Sequence, residues 1–258
     1  MLKVRSQKVT LLFVIAAMGL LTINCGVLLA KDLGYEHLWG LVPLFDVDQE
    51  NNIPTFFSTL LAIVASALLL AISLARKQMS RPWRLWASLS VLFLLVAIDE
   101  FIGIHEQLSQ PVRELLDAKG LLYFAWIIPY AFLVMMLAGI YGRFVFEMPI
   151  HIRNGVLLSA TVFLAGALGF EMLSGMLFEY SNQTKTLLYG ALSTIRESLE
   201  IAGMILFIHT LLRYIEDVQK NILIQLGTYD PMARIIQEAQ KPLPQSLFRL
   251  DNSNRAEP

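Results

Sequence analysis

Six apolar segments, each roughly 20 residues long, constrain what this chain can fold into. A helix of that length crosses a hydrocarbon core about 30 Å thick, so each segment predicts a transmembrane helix. Hydrophobic residues make up 56% of the 258 residues and charged residues only 16%, which is far from the composition of a soluble domain. The predicted fold is an all-α, polytopic membrane helix bundle. Its predicted spans are 9–30, 56–75, 83–104, 121–141, 155–178 and 187–214.

The basic residues are concentrated in alternate loops, and this pattern predicts the orientation of the bundle. They precede the first span, connect the second to the third and the fourth to the fifth, and follow the sixth. Because loops rich in Lys and Arg stay in the cytoplasm, both termini are predicted to be cytoplasmic. These basic residues are Lys3, Arg5, Lys8, Arg76, Lys77, Arg81, Arg84, Arg143, Arg153, Arg213 and Lys220.

The two ends of the chain have different predicted roles. The apolar run at 9–30 lacks a clean cleavage site, so it is predicted to be a retained span and not a signal peptide. The bundle is predicted to occupy 1–215, with an outer-side loop at 31–55. Residues 216–258 are predicted to form a cytoplasmic tail that contains an amphipathic stretch, ILIQLGTYDPMARIIQEA.

The stretch VLFLLVAIDEFIGIHEQL, residues 91–108, places ionisable residues at the predicted outer end of the third span. They are Asp99, Glu100, His105 and Glu106. On a helix with 100° per residue, Asp99 and Glu106, which are seven residues apart, lie nearly on one line. Glu100 and His105 then flank that line on opposite sides.

The fifth and sixth spans add three further acids, in the outer half of the membrane or near its middle. An acid at the bilayer centre costs roughly 2.5 to 3.5 kcal/mol, so these side chains are not expected to face lipid. We expect them to face one another, a cation or water. They are Glu171, Glu197 and Glu200.

Carboxylates with few histidines, projecting from several helices, favour a metal site. Di-iron and di-manganese bundles use such ligands, and an oxygen-rich set with one imidazole also suits Ca²⁺. The expected ion is Fe, Mn, Zn or Ca. The predicted ligands are His105, Glu106, Glu171, Glu197 and Glu200, and the predicted catalytic bases are Asp99 and Glu100.

Three functions are compatible with these acids. The first is a metal-dependent enzyme acting on a lipid-like substrate, and the second is a transporter coupled to cations or protons. The third is a non-catalytic subunit whose acids form a structural network. Membrane lipid is the expected partner, a homo-oligomer or a larger membrane complex stays open, and the sequence has no nucleic-acid-binding pattern.

The loop LFDVDQENNIPTFFS, residues 44–58, has two interpretations. Asp46, Asp48 and Glu50 alternate like the start of a calcium loop, but the Gly and the distal Glu of an EF-hand are missing. Asn52 and Pro54 predict a turn and a helix cap. A lid over the acidic site is the alternative.

Two features of the later spans predict helix geometry. Pro129 predicts a kink in the fourth span, because proline removes a helical hydrogen bond. Gly166, Gly169 and Gly175 predict close packing of the fifth span against a neighbouring helix.

Five motifs together resemble a family of multi-pass bacterial inner-membrane proteins that has no established activity. They are FDVDQENNIPTFFS, AIDEFIGIHE, AWIIPY, GALGFEMLSG and TIRESLEIAGMILF, within residues 44 to 215. The resemblance, which includes an L-D-E-x-x-x-I-H-E type motif, implies a location in the bacterial cytoplasmic membrane. Arg196 and Ser198 depart from the pattern, which leaves the net charge of the site open. The matching positions are Asp99, Glu100, His105, Glu106, Glu171, Glu197 and Glu200.

Overall fold

The computed structural model describes residues 6–227, with side chains described through residue 218. The regular structure in these residues is helical, and no strand occurs among them. Six helices are long and apolar enough to cross a membrane, which confirms the predicted all-α, six-span fold. The α-helices are α1 (Ser6–Asp32), α2 (Leu41–Phe45), α3 (Ile53–Gln78), α4 (Arg84–Ile102), α5 (Ile104–Leu116), α6 (Ile127–Phe146), α7 (Ile150–Leu164), α8 (Glu171–Tyr180) and α9 (Leu187–Gly227).

The fifth crossing consists of three consecutive helical pieces. A π-helical segment, Ala165–Phe170, joins α7 to α8, and the three pieces extend over Ile150–Tyr180 without a break. A π-helical turn widens the helix locally and changes the face that the following residues present. The sequence did not predict this segment.

α3 begins at the cap that the sequence predicts. The Asn52 side chain accepts a hydrogen bond of 3.1 Å from the Thr55 N–H, and Pro54 lies in the first turn. From Ile53, α3 rises about 39 Å to Gln78, enough to pass through the whole bilayer. We call the end of the bundle at Ile53 the acidic end and the end at Gln78 the basic end.

The core of the bundle lies on α3 and α9. In the apolar stretches of these two helices 50% and 56% of the residues are buried, against 6% in α6. α6 therefore has most of its surface available to lipid. Between Ile201 and Leu212 the buried side chains of α9 are apolar except for Thr210: Ile201, Met204, Ile205, Phe207, Ile208, Leu211 and Leu212.

Glycines bring the fifth crossing close to α9. A Cβ atom added to Gly166 would lie 2.7 Å from the Arg196 carbonyl oxygen, and one added to Gly203 would lie 2.7 Å from the Phe163 nitrogen. Gly175 is close to Phe124, whereas a Cβ on Gly169 would meet nothing within 4 Å. Close packing is therefore confirmed at Gly166 and Gly175, and the prediction for Gly169 is wrong.

The third span ends earlier than predicted. α4 stops at Ile102, Gly103 adopts a left-handed conformation with φ of 69°, and a separate helix starts at Ile104. The expected alignment of Asp99 and Glu106 along one continuous helix is therefore wrong. Glycine permits this turn because it has no Cβ to clash with the backbone.

The predicted kink at Pro129 is also wrong. α6 begins at Ile127, so Pro129 lies in its first turn, where no hydrogen bond to a preceding turn is lost.

The chain divides into two compact units, Met1–Glu216 and Asp217–Pro258. The helical bundle belongs to the first unit. Of the second unit, the structure describes only the last residues of α9, so most of the predicted amphipathic stretch, from residue 228 onward, lies outside the described residues. The cytoplasmic location of both termini stays a prediction.

Candidate metal site

Three side chains meet at the acidic end in an arrangement that could hold a metal ion. They are Glu50 from the loop before α3, and His105 and Glu106 from the start of α5. One ligand atom from each lies within 4.8 Å of the other two. Glu50 and His105 are half-buried, whereas Glu106 is exposed. The Glu50 Oε2 atom is buried and has no hydrogen-bond partner among the described residues.

The loop that carries Glu50 is anchored by the acids that precede it. Asp46 is fully buried and accepts a hydrogen bond of 2.8 Å from Lys31 Nζ, as well as one of 3.1 Å from the Asp48 N–H. Asn52 Nδ2 donates to the Asp46 carbonyl oxygen at 2.6 Å. Asp46 therefore holds the loop together and is not free to bind a calcium ion.

Asp48 ties the same loop to α9. Its carboxylate accepts hydrogen bonds of 3.0 Å from Tyr189 Oη and 3.0 Å from Ser193 Oγ, and it forms an ion pair with Lys185. Tyr189 and Ser193 are four residues apart and share one face of α9, and Lys185 lies just before the start of this helix. The loop is thereby fixed in place, and Glu50 is directed to the turn between α4 and α5, where a Cβ on Gly103 would lie 3.8 Å from Glu50 Cγ.

Asp99 positions His105 from the last turn of α4. Its Oδ1 atom accepts a hydrogen bond of 3.0 Å from the His105 N–H, and its Oδ2 atom lies 3.4 Å from His105 Nδ1. The imidazole packs edge-on against Trp126, with ring centroids 4.9 Å apart. Metal-binding histidines commonly direct the other ring nitrogen to a carboxylate, and here Nδ1 faces Asp99 and leaves Nε2 available.

The electrostatics of the three side chains reflect an excess of negative charge. Burial, reinforced by the Glu106 carboxylate, raises the pKa of Glu50 to about 7. For His105, burial lowers the pKa, but the carboxylates of Asp99, Glu106 and Glu50 outweigh it and raise the pKa above its ordinary value. The carboxylates around Glu50 and His105 repel one another, and this repulsion favours the protonated forms of both side chains. A divalent cation bound here would reduce the same repulsion.

A second layer of acids lies on α8 and α9. Arg196 Nη1 donates to Glu171 Oε2 at 2.6 Å, and Trp126 Nε1 donates to Glu171 Oε1 at 3.3 Å. Glu197 accepts a hydrogen bond of 2.9 Å from Ser58 Oγ, and Glu200 lies 3.9 Å from Arg196 Nε. Both oxygens of Glu171 are therefore already used within the bundle.

Glu100 connects the two layers. It is close enough to Glu197, Glu200 and Glu50 to interact with them electrostatically. Arg196 interacts with the same acids and with Asp48, and His105 interacts with Glu50 and Glu197. The acids of the loop and of the bundle are therefore electrostatically coupled.

The three-residue group contains two of the predicted ligands, His105 and Glu106. The other three predicted ligands, Glu171, Glu197 and Glu200, belong to the second layer, and their role as ligands stays a prediction. Glu50 was not among the ligands that the sequence predicts. The signal that could have found it is the alternation of Asp46, Asp48 and Glu50, which resembles the start of a calcium loop.

The turn at Gly103 supports the first testable prediction. We expect Gly103→Ala to destabilise the protein by about 1 to 2 kcal/mol, because alanine resists the left-handed conformation. It should also weaken metal binding, because the turn sets His105 against Asp99. The measurements are thermal unfolding in detergent and metal content by mass spectrometry.

Gly120→Ala is the matched control for this prediction. Gly120 has φ of 61°, and a Cβ there meets nothing within 4 Å, whereas a Cβ on Gly103 lies beside Glu50, so the backbone strain is similar without the contact to Glu50. A Gly103→Ala protein that is less stable but has the same metal content as the unaltered protein would show that the turn does not position His105 for metal binding.

The six apolar helices define a polytopic helical membrane protein, and the acids above form a cluster at one end of it. Within that class, the chain belongs to the family described as domain of unknown function DUF8692, whose model matches residues 8–215. This agrees with the predicted membership of a family without an assigned activity. No curated protein and no solved structure shows significant similarity to the chain.

Proposed function

We propose that this protein is a metal-dependent membrane enzyme that acts on a lipid-like substrate, with its metal held by Glu50, His105 and Glu106. The observation that carries the proposal is the close approach of these three ligand atoms, with a buried Glu50 oxygen that has no other partner. Two carboxylates and one imidazole suit Mn²⁺, Fe²⁺ or Zn²⁺. The proposed location is the cytoplasmic membrane of a bacterium.

The residues beside the site support a substrate that enters from the bilayer. Phe101 and Ile102 at the end of α4 and Ile104 and Leu108 on α5 have between 38% and 56% of their surface exposed. They flank Glu106, so the ligand group adjoins an apolar surface. A lipid could approach the metal along it without leaving the hydrocarbon region.

The remaining acids have distinct proposed roles. A bound metal would supply Lewis acidity and lower the pKa of a bound water. Glu100, which lies between the two layers, is the proposed general base. Asp99 is proposed as a positioning residue, because both its oxygens face His105.

The metal site is tested by purifying the full chain without chelator and measuring bound metals by mass spectrometry. We expect about one equivalent of a transition metal, because the three ligands converge on one point. A Glu50→Gln, Glu106→Gln variant should lose at least about tenfold in metal affinity, since each change removes a charged ligand.

Glu114→Gln is the matched control, because Glu114 is an exposed acid on the same helix, α5. A Glu197→Gln, Glu200→Gln variant tests the second layer. If only this second variant loses its metal, the ligands are the deeper acids. The absence of metal from the unaltered protein, even after addition of manganese, iron and zinc, would rule out the proposed enzyme.

One observation favours a second candidate, a cation transporter. The acids continue from Glu50 through Glu100 to Glu200, as the entry part of a cation path would. Beyond Glu200, however, the buried face of α9 carries no acid among the described residues and is mostly apolar, with Ile201, Ile205 and Ile208 between 0% and 5% exposed. We therefore expect proteoliposomes to take up no manganese above protein-free vesicles, and uptake that is lost in Glu100→Gln would favour transport instead.

A further inference from the structure

A pocket of about 680 Å³ lies at the basic end of the bundle, at the far end of α3 from the metal site. It is lined by the connection from α3 to α4, by the connection from α6 to α7, and by Tyr214 of α9. Nothing in the proposed enzyme reaction uses it. Its chemistry differs sharply from that of the acidic end.

Cations dominate the lining of this pocket. None of Arg76, Lys77, Arg81 and Arg84 forms an ion pair with a carboxylate in the part of the chain that the structure describes. Arg76 is held in place by Tyr214 Oη, to which its Nη1 atom donates at 2.6 Å. Four positive charges without counter-charges favour an anionic ligand.

The single acid that lines the pocket is already neutralised. Glu147 Oε1 accepts a hydrogen bond of 2.8 Å from Arg143 Nε, which lies outside the lining. The local charge therefore stays strongly positive, and a carboxylate does not block entry of an anion.

Uncapped helix ends and an unused indole donor add to this preference. α4 begins at Arg84 and α7 at Ile150 without a side-chain cap, so N–H groups of two first turns point toward this end. Trp86, which lines the pocket, is 3% exposed, and its Nε1 atom has no hydrogen-bond partner among the described residues. A buried N–H without a partner costs free energy unless a ligand accepts from it.

We propose that this pocket binds a phosphate-bearing anion, either the headgroup of an anionic lipid or free phosphate. Phosphate accepts hydrogen bonds from guanidinium, ammonium, indole and helix N-terminal N–H groups alike. Leu85 and Phe144 supply apolar surface in the same lining, next to which an acyl chain can lie. Basic pockets between transmembrane helices are established sites for anionic headgroups.

The test is native mass spectrometry of the full chain in detergent, with phosphatidylglycerol, phosphatidylcholine or inorganic phosphate added separately. We expect phosphatidylglycerol to be retained and phosphatidylcholine to be lost. An Arg81→Gln, Arg84→Gln variant should bind phosphatidylglycerol about tenfold more weakly, because two interfacial cations are removed. Both positions are exposed, so the melting temperature without lipid should not change.

A Lys8→Gln, Arg153→Gln variant is the matched control, because it removes two cations at the same end that do not line the pocket. It should bind phosphatidylglycerol like the unaltered protein. If the protein binds inorganic phosphate but not phosphatidylglycerol, the pocket is still an anion site, and its ligand is a soluble phosphate compound. Equal binding of the two lipids, equal losses in both variants, or no binding of any probe would overturn the proposal.

Discussion

Replacing Arg196 with methionine is expected to destabilise the protein by about 3 to 5 kcal/mol, the usual cost of breaking a buried ion pair from one side. The Glu171 side chain is 6% exposed, and one of its oxygens would lose the Arg196 donor at 2.6 Å. Its other oxygen would keep only Trp126. Glu197 and Glu200 would lose the same neutralising charge. The measurement is the unfolding transition in detergent, monitored by tryptophan fluorescence.

A double variant shows whether Arg196→Met destabilises the protein through lost charge or through lost packing. The Arg196→Met, Glu171→Gln variant removes both partners, and we expect it to recover most of the lost stability, because no buried carboxylate is left unpaired. Arg143→Met is the control, since Arg143 and Glu147 form a pair exposed to solvent and its loss should change little. An unfolding curve for Arg196→Met that overlays the unaltered one would mean that the pair does not hold the bundle together.

Gly166→Ala is expected to destabilise the protein by about 1 to 3 kcal/mol or more, as overpacking of a tight contact does. The added Cβ would lie 2.7 Å from the Arg196 carbonyl oxygen and 3.0 Å from Glu200 Cγ. The first neighbour is backbone and cannot rotate away, so α9 and the fifth crossing must move apart. The same displacement shifts the second layer of acids, and Gly166→Ala should therefore also disturb the Arg196 to Glu171 pair.

Gly169→Ala is a close control, because both glycines lie in the π-helical segment. Nothing lies within 4 Å of a Cβ at Gly169, so alanine should be neutral or slightly stabilising. Thermal unfolding of the two variants side by side measures the difference. Equal melting temperatures would show that the fifth crossing and α9 leave room for a methyl group at Gly166, contrary to the 2.7 Å between the added Cβ and the Arg196 carbonyl oxygen.

The six crossings could be predicted because each depends on a local property of the chain. An apolar run of sufficient length must form a helix in the membrane, whatever its neighbours are. The cap of α3 was predictable for the same reason, since Asn52 and Pro54 act within one turn. The concentration of acids on three spans was visible as well, because any acid in an apolar run is costly.

The geometry of the site could not be predicted, because it depends on features that do not appear in the hydropathy pattern. Gly103 lies in an apolar context that continues a helix by composition, and only its left-handed conformation ends α4 there. Glu50 reaches the site because Asp46 and Asp48 bind α1 and α9 through partners more than a dozen residues away in sequence. Such distant pairings are set by the folded bundle, so a single sequence could suggest a lid but not a ligand.

The π-helical segment divides the fifth crossing into two parts whose rotations about the helix axis are set separately. Each residue added or removed in a helix turns everything that follows by about 100°. A π-helical turn holds about one residue more than an α-helical turn, so the number of residues in Ala165–Phe170 sets the face that α8 presents. A change in that number would alter how Glu171 meets Arg196, although α7 and its lipid-facing surface would be unchanged.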